Sequence, residues 1–357
     1  MFFKFKVKRV LRHFFYMSLY LNFEDAINLL ETTEPVEMLW NGVKKNSFGL
    51  VFGPSKSGKT IFCENLAISF ALGKDEFMGF PINSEPTKVM FIGLEEYWVN
   101  RFERNKKQFD FLSDDEKELF KTNFLIPKID FPKTITNREN WDLLRETIKS
   151  SGAEIVFIDS ITRMNHGKIE DSKTAEQICL NLRTISQELN VTLLVIHHTP
   201  KLGDDEISMD KIKGSSVFSQ ETDFAIGVNR TERKVRYIKN VYFRYSDDSD
   251  DSLHEFTFNE NLIVEPKGTI NSFELSREQD RRTSTNRQVI VDLIDSNSSV
   301  VYATNELVSI LKEKLNIQER QIKSYLSDLV NTEKIVSPRQ GIYTSKLNTD
   351  VIGGTNE

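Results

Sequence analysis

Eight residues in a row, Gly53-Pro54-Ser55-Lys56-Ser57-Gly58-Lys59-Thr60, carry the types and spacing that hold a nucleotide phosphate. Glycines let a backbone wrap an anion with successive N–H groups turned inward, and a helix opening at the loop's end adds the positive end of its dipole. Lys59 is the cation for the terminal phosphates of ATP, the Thr60 hydroxyl is a ligand for Mg²⁺, and Ile61 follows at the start of the helix. An ATP site needs a second half, an acid at the end of a later strand. Ala153-Glu154-Ile155-Val156-Phe157-Ile158-Asp159-Ser160 supplies one, in which Asp159 would hold Mg²⁺ through water. The strand Lys88–Leu94 ends in Glu95-Glu96, and a carboxylate there can orient and deprotonate the water that attacks the γ-phosphate. Either member of that pair fits the role. Two of the five histidines, His197 and His198, close the run Val191–Ile196 at a strand's C-terminal end, where ligands sit in open α/β sheets. With no Cys or further His nearby, zinc is not expected. A γ-phosphate sensor is, with a helix-cap or core role for one of the two histidines as the alternative.

These residues need a scaffold of strands and crossover helices. Phe48–Phe52, Val89–Leu94, Ile155–Ile158 and Val191–Ile196 are apolar on both faces and read as buried parallel strands. Phe62, Leu66, Ala67 and Phe70 mark an amphipathic helix after the loop, and Ala175, Ile178, Leu182, Ile185 and Leu189 mark a second. Asn137 caps a helix through Trp141 and Leu144 that Gly152 ends. Such alternation predicts an α/β fold, a mainly parallel sheet covered by helices on both faces. After Gly214, the runs Phe224–Val228, Val235–Val241, Leu253–Phe258 and Leu262–Val264 read as antiparallel additions to the sheet's edge.

A polar stretch, 267–286, centred on Ser276-Arg277-Glu278-Gln279-Asp280-Arg281-Arg282, reads as a linker. Beyond it, residues 287–347 hold three helical patterns and a β-hairpin, the winged-helix arrangement. The third helix offers Arg320, Gln321, Lys323 and Ser324 to a major groove. Eight Lys/Arg against seven Asp/Glu make this segment nearly neutral, where a duplex reader shows a basic face. Its expected partner is therefore duplex DNA or a protein. Residues 1–21, basic and aromatic, read as a poorly ordered extension, with a basic arm on DNA or membrane as the alternative; 348–357 read as a disordered tail.

Composition excludes other classes. The 357 residues are 39% hydrophobic, enough for a sizeable core. Two cysteines rule out a disulfide scaffold. No apolar run reaches the roughly 18 residues of a membrane span, so a cytoplasmic protein without stable membrane association is expected. The net charge of −6 confines nucleic-acid contact to local patches, and Asp247-Asp248-Ser249-Asp250-Asp251 would repel it locally.

The phosphate loop, the strand-end Glu95, hydrophobic-Asp159-Ser160 and a strand ending His-His-Thr-Pro-Lys, in this order, resemble the RecA-fold ATPases of the plasmid RepA-type hexameric helicase family. The resemblance spans residues 22–266, and Lys213-Gly214-Ser215-Ser216 resembles that family's Arg-Gly-Ser-Ser stretch with Lys in place of Arg. It implies a RecA-like ATPase domain and a homo-hexameric ring with sites shared between subunits and single-stranded DNA through the ring. Glu95 is then the catalytic base, Asp159 the second acid and His198 the sensor, with His197 second. Lys239 and Arg244 are the cations supplied to the neighbouring subunit's nucleotide. The implied function is an ATP-hydrolysing, DNA-dependent motor, a replicative helicase or translocase of a plasmid, phage or other mobile element. The alternative is an ATP-gated DNA-binding regulator or loader without unwinding. A small-molecule kinase would need an Arg-rich lid, which the sequence does not display.

Overall fold

A computed structural model describes residues 20–83, 85–164, 172–202, 206–212, 216–231, 234–246, 252–271 and 285–348. The chain divides into two compact units, Met1–Thr269 and Ile270–Glu357. In the first, nine strands form one sheet. They are β1 (Phe48–Pro54), β2 (Val89–Gly93), β3 (Phe124–Leu125), β4 (Ile155–Asp159), β5 (Thr192–Thr199), β6 (Phe224–Arg230), β7 (Arg236–Phe243), β8 (Ser252–Phe258) and β9 (Val264–Asn271). Their spatial order is β9-β8-β7-β6-β1-β5-β4-β2-β3. From β6 to β3 every neighbouring pair is parallel, and β7 and β8 are antiparallel. Every residue of β1 and of β4 is buried, which is why both read as unbroken apolar runs. This is a mainly parallel α/β sheet flanked by helices.

Helix α1 (Phe23–Glu31) is capped by the Asn22 side chain and buries none of its residues. Helix α2 (Lys59–Leu72) covers the face that carries Val51, Phe157 and Leu194. Helices α3 (Trp98–Asp110), α4 (Asp114–Asn123) and α5 (Arg138–Ser151) follow. Helix α6 (Ser172–Leu189) lies on the opposite face, where Arg183 sits 5.9 Å from the Phe48 ring. As expected, Asn137 caps α5 by accepting the Asn140 N–H at 2.9 Å, and Gly152 ends it at φ 66°.

Three expectations are corrected here. The run from Phe224 is parallel to β1, pairing Phe224 with Gly49 and Gly227 with Phe52. The chain returns from Thr199 by a crossover that includes a short helix, Val217–Glu221, so this strand joins the parallel core and the antiparallel part begins at β7. Leu262 does not start a strand but turns at φ 60°, with its N–H donating to Asn259 O. The strand begins at Val264 and runs to Asn271, so the first residues of the expected linker extend the sheet. Finally, α2 is buried all round and not amphipathic: even Lys59, Glu64 and Asn65 are covered.

The second unit packs a helix over residues 285–295, α7 (Thr304–Leu315) and α8 (Glu319–Asn331) around Ile290, Ile294, Leu307, Leu311, Ile322, Leu326 and Leu329. Three short strands join them in the order β10 (Tyr302–Ala303), β12 (Ile342–Thr344), β11 (Val336–Arg339). Strand β10 was not expected; two residues are too few to show a period. On α8, Arg320, Lys323 and Ser324 are exposed, whereas Gln321 is half-buried and donates to the Tyr325 hydroxyl at 3.0 Å. Asn348, expected in the tail, is buried and donates to Thr344 Oγ1 at 3.0 Å. The expected extension before Tyr20, the tail after Asn348, Lys213–Ser215, the acidic run 247–251 and the centre of the linker lie outside the described residues. Among the described residues, no helix is long and apolar enough to cross a membrane.

Candidate nucleotide site

Strand β1 delivers the loop at its C-terminal end, and glycine is required on entry. At Gly53 (φ 155°) a β-carbon would lie 1.9 Å from the Val228 carbonyl oxygen. The loop turns through Lys56 at φ 67° and Gly58 at φ 104°, and Gly58 caps α2. Ser55 and Lys56 are exposed, so the extra lysine of this loop faces solvent. Ser57 is buried, and among the described residues its hydroxyl has no hydrogen-bond partner. Lys59 Nζ donates to the loop's own carbonyls, Gly53 O at 2.8 Å and Pro54 O at 2.7 Å. Burial lowers its ammonium from 10.5 to about 8, against the opposing pull of Asp159, Cys63 and Glu95. A tight glycine turn, an orphaned buried hydroxyl and a partly desolvated ammonium are together fitted to receive an anion.

The acids converge on this loop from two other strands. Thr60 Oγ1, at the start of α2, donates to Asp159 Oδ2 at 2.7 Å. Burial raises the Asp159 carboxyl, and that hydrogen bond opposes the rise. A hydroxyl beside one carboxylate fits Mg²⁺, which takes few protein ligands and completes its shell with water and phosphate oxygens. Ile61 lies half-buried behind them.

Glu95 and Glu96 leave the end of β2 in different company. Glu95 accepts from the hydroxyls of Ser160 and Thr162, and His198 Nε2 stands 3.4 Å from its Oε2. The His198 contact holds the carboxyl down at about 2 despite partial burial, with the two hydroxyls adding to it. Glu96 is bound by Arg104 through two contacts of 3.0 and 2.7 Å. The same guanidinium grips the fully buried Glu64 of α2 at 2.7 and 2.8 Å. Arg101 is buried beside them, 4.2 Å from the Phe91 ring, with a donor to Phe91 O. His197 is fully buried, its ring 5.3 Å from Phe218. Of the histidines, His198 faces Glu95 and His197 packs inward, while Glu95 and Glu96 are about equally exposed and differ in their partners.

The structure thus brings together Lys59, Thr60, Glu95, Asp159 and His198. It does not bring Lys239 or Arg244 to them. Lys239 pairs with Gly227, itself opposite Phe52, so it sits two strands over, about 10 Å from β1, and bonds Glu206. Arg244 follows the end of β7 that pairs through Phe224 with Gly49, five residues and about 17 Å down the sheet from Pro54. It contacts Asp223 and Gln220 O there. Sequence reasoning missed the Ser160 and Thr162 contacts and the Glu64–Arg104–Glu96 bridge. The readable signal for the bridge was a glutamate inside an otherwise apolar helix, with arginines in the helix after the acid pair.

Among solved structures, the chain is similar to the KaiC-like protein PH0186 from the hyperthermophilic archaeon Pyrococcus horikoshii OT3. That match has 18% identity and a TM-score of 0.45, over 65% of this chain and 99% of that one. It is also similar to a second solved structure, an ATPase domain, at 16% identity and a TM-score of 0.47, over 70% of this chain and 98% of that one. No curated protein matches the chain. The sequence pattern of a family described as an AAA domain matches residues 18–204, more than half of the 357, and the chain belongs to that family.

Proposed function

We propose that the protein hydrolyses ATP at the loop Gly53–Thr60 and couples hydrolysis to movement on DNA as a ring of identical subunits, in the manner of a replicative helicase or translocase of a plasmid, phage or other mobile element. The observation that carries the hydrolytic part is the meeting of Thr60, Asp159 and Glu95 at one loop. Lys59 exchanges its bonds to Gly53 O and Pro54 O for the terminal phosphates. Mg²⁺, held by Thr60 and Asp159, supplies positive charge against the phosphate oxygens. Glu95, kept ionised by its three neighbours, accepts the proton of the attacking water. His198, in contact with Glu95, reports the state of the γ-phosphate to β5.

The ring is supported by where Lys239 and Arg244 lie in a single chain. Phosphoryl transfer gains from a further cation on the γ-phosphoryl group. Lys239 and Arg244 lie away from their own loop, which suits them to a neighbour's. The decisive measurement is ATP turnover with and without single-stranded DNA, alongside oligomeric mass in ATP. DNA-stimulated turnover by a ring supports the reading; turnover by a dilute monomer, indifferent to DNA, refutes the motor. A second reading is an ATP-gated loader that docks a protein through residues 287–347, whose near-neutral charge suits a protein partner better than a duplex. It would give slow hydrolysis and no strand separation.

A further inference from the structure

Strand β6 ends and strand β7 begins beside the loop, with two arginines set against each other. Arg230 and Arg236 are direct cross-strand partners, an arrangement that like charges destabilise. Both are half-buried, and among the described residues the buried Nε atoms of both have no hydrogen-bond partner. Among the described residues neither forms an ion pair with a carboxylate. Strand alternation puts Glu255 on the other face, opposite Tyr237, while Arg236 stands opposite Phe256 on the face that α2 covers. Phe258 closes one side of Arg236, its ring 5.2 Å from the guanidinium carbon. Burial, then the charge of Arg230, lower the Arg236 guanidinium from its ordinary value. Two partly desolvated guanidinium groups on neighbouring strands, with no carboxylate paired to them among the described residues, are what an oxyanion would repair.

Their position names the anion. Gly227 of β6 lies level with Phe52 of β1, so Arg230, three residues on, lies level with the loop itself. A β-carbon placed on Gly58 would be 3.4 Å from Arg236 Nε and 2.9 Å from the Phe258 ring. Gly58 is the cap of the helix that would receive the phosphates. We propose that Arg230 and Arg236 are a second anion contact of the nucleotide site, holding the phosphate chain of the bound nucleotide from the strand side of the loop. The proposal rests on the reading of Gly53–Thr60 as a nucleotide site. A phosphodiester of nucleic acid offers the same chemistry, and the test separates the two sources.

Binding of ADP, of adenosine and of a single-stranded oligonucleotide is measured by calorimetry on the full chain. The proteins are the wild type, Lys59→Ala, and Arg230→Gln and Arg236→Gln singly and together. Melting temperature without nucleotide is recorded for each. The expected result is ADP affinity weakened about tenfold or more in each arginine variant. Adenosine and oligonucleotide binding stay unchanged, and the melting temperature is equal or higher because the repulsion is relieved. ADP affinity at the wild-type level in the double variant, with binding lost in Lys59→Ala, overturns the arginine site and leaves the loop reading standing. Weakened oligonucleotide binding with normal ADP binding assigns the pair to nucleic acid and overturns it too. A lower melting temperature with normal ADP binding makes the pair structural. No ADP binding by the wild type removes both readings.

Discussion

Glu95 and Glu96 are neighbours of the same chemistry, and their partners separate them. Glu95 faces Thr162, Ser160 and His198, whereas Glu96 is committed to Arg104. Glu95→Gln is expected to keep ATP affinity and lower turnover by about a hundredfold or more, since it removes the base and leaves the phosphate contacts. Glu96→Gln is expected to leave turnover within about threefold, because it weakens a charged bond away from the loop. Single-turnover assays beside equilibrium binding check both, and the reverse pattern would make Glu96 the base. Lys59 adds a pH dependence. Its ammonium, lowered by burial from 10.5 to about 8, is the form that phosphate prefers. Nucleotide affinity is therefore full below about pH 8 and falls as pH rises through that value, by up to about tenfold per unit, with proton uptake on binding. Without nucleotide the sign reverses: the unfolded chain holds the proton more tightly, so stability rises with pH between about 8 and 10.5. Binding enthalpies near pH 8 in two buffers of different ionisation heat check the uptake, and equal values would remove it.

Among the elements, α4 carries a stability linkage of the same sign at lower pH. Ser113 and Glu116 form a reciprocal capping box, and Glu116 also bonds Lys74 just past α2. The Lys74 bond, then the Ser113 N–H and hydroxyl, lower its carboxyl from 4.5 to about 2. The stabilisation is complete above about pH 4.5 and is lost as pH falls toward 2. Glu116→Ala should destabilise the protein by about 1 kcal/mol at pH 7, and the gap from wild type should close between pH 4.5 and 2. Urea unfolding at pH 7, 5 and 3 checks this, and a gap independent of pH would leave only helix propensity. Caps of this kind are local and so can be read from sequence, as Asn137 and Gly152 were. The runs that became β1, β4 and β5 were equally readable, because strands buried on both faces stay apolar throughout. The direction of β6 was not, since an apolar run looks the same whether a hairpin or a crossover feeds it. The all-round burial of α2 was hidden too: Lys59, Glu64 and Asn65 look solvent-facing until Gly53 O, Arg104 and Leu262 O appear as their partners. The loop and Asp159 were legible at the site, while the choices between Glu95 and Glu96 and between His197 and His198 depended on side-chain contacts with Ser160, Arg104 and Phe218 that no spacing in the sequence shows.

At the scale of the molecule, each compact unit has its own apolar core, and the boundary falls within β9. A fragment ending at Asn271 is expected to fold and bind nucleotide, whereas one ending at Ile263 loses the edge strand and the Asn65 bond to Val264 N–H, 3.1 Å long. Circular dichroism and ADP binding on the two fragments check this; equal behaviour would make β9 dispensable. The last expectation concerns assembly. In one chain Arg244 is anchored at the far end of the sheet by Asp223 and Gln220 O, and Lys239 is tied to Glu206. If a neighbour's loop is their target, Arg244→Ala or Lys239→Ala protein binds ATP normally yet turns it over at least about tenfold more slowly. Such a variant and Lys59→Ala protein are each defective in a different half of the shared site. Mixed in equal amounts, they form some interfaces with an intact loop facing an intact cation. Turnover of the mixture should therefore exceed the mean of the two separate proteins, and should decline on dilution as the ring dissociates. A mixture that only averages its components, or an Arg244→Ala protein with full turnover at every concentration, would place the whole catalytic apparatus within one chain.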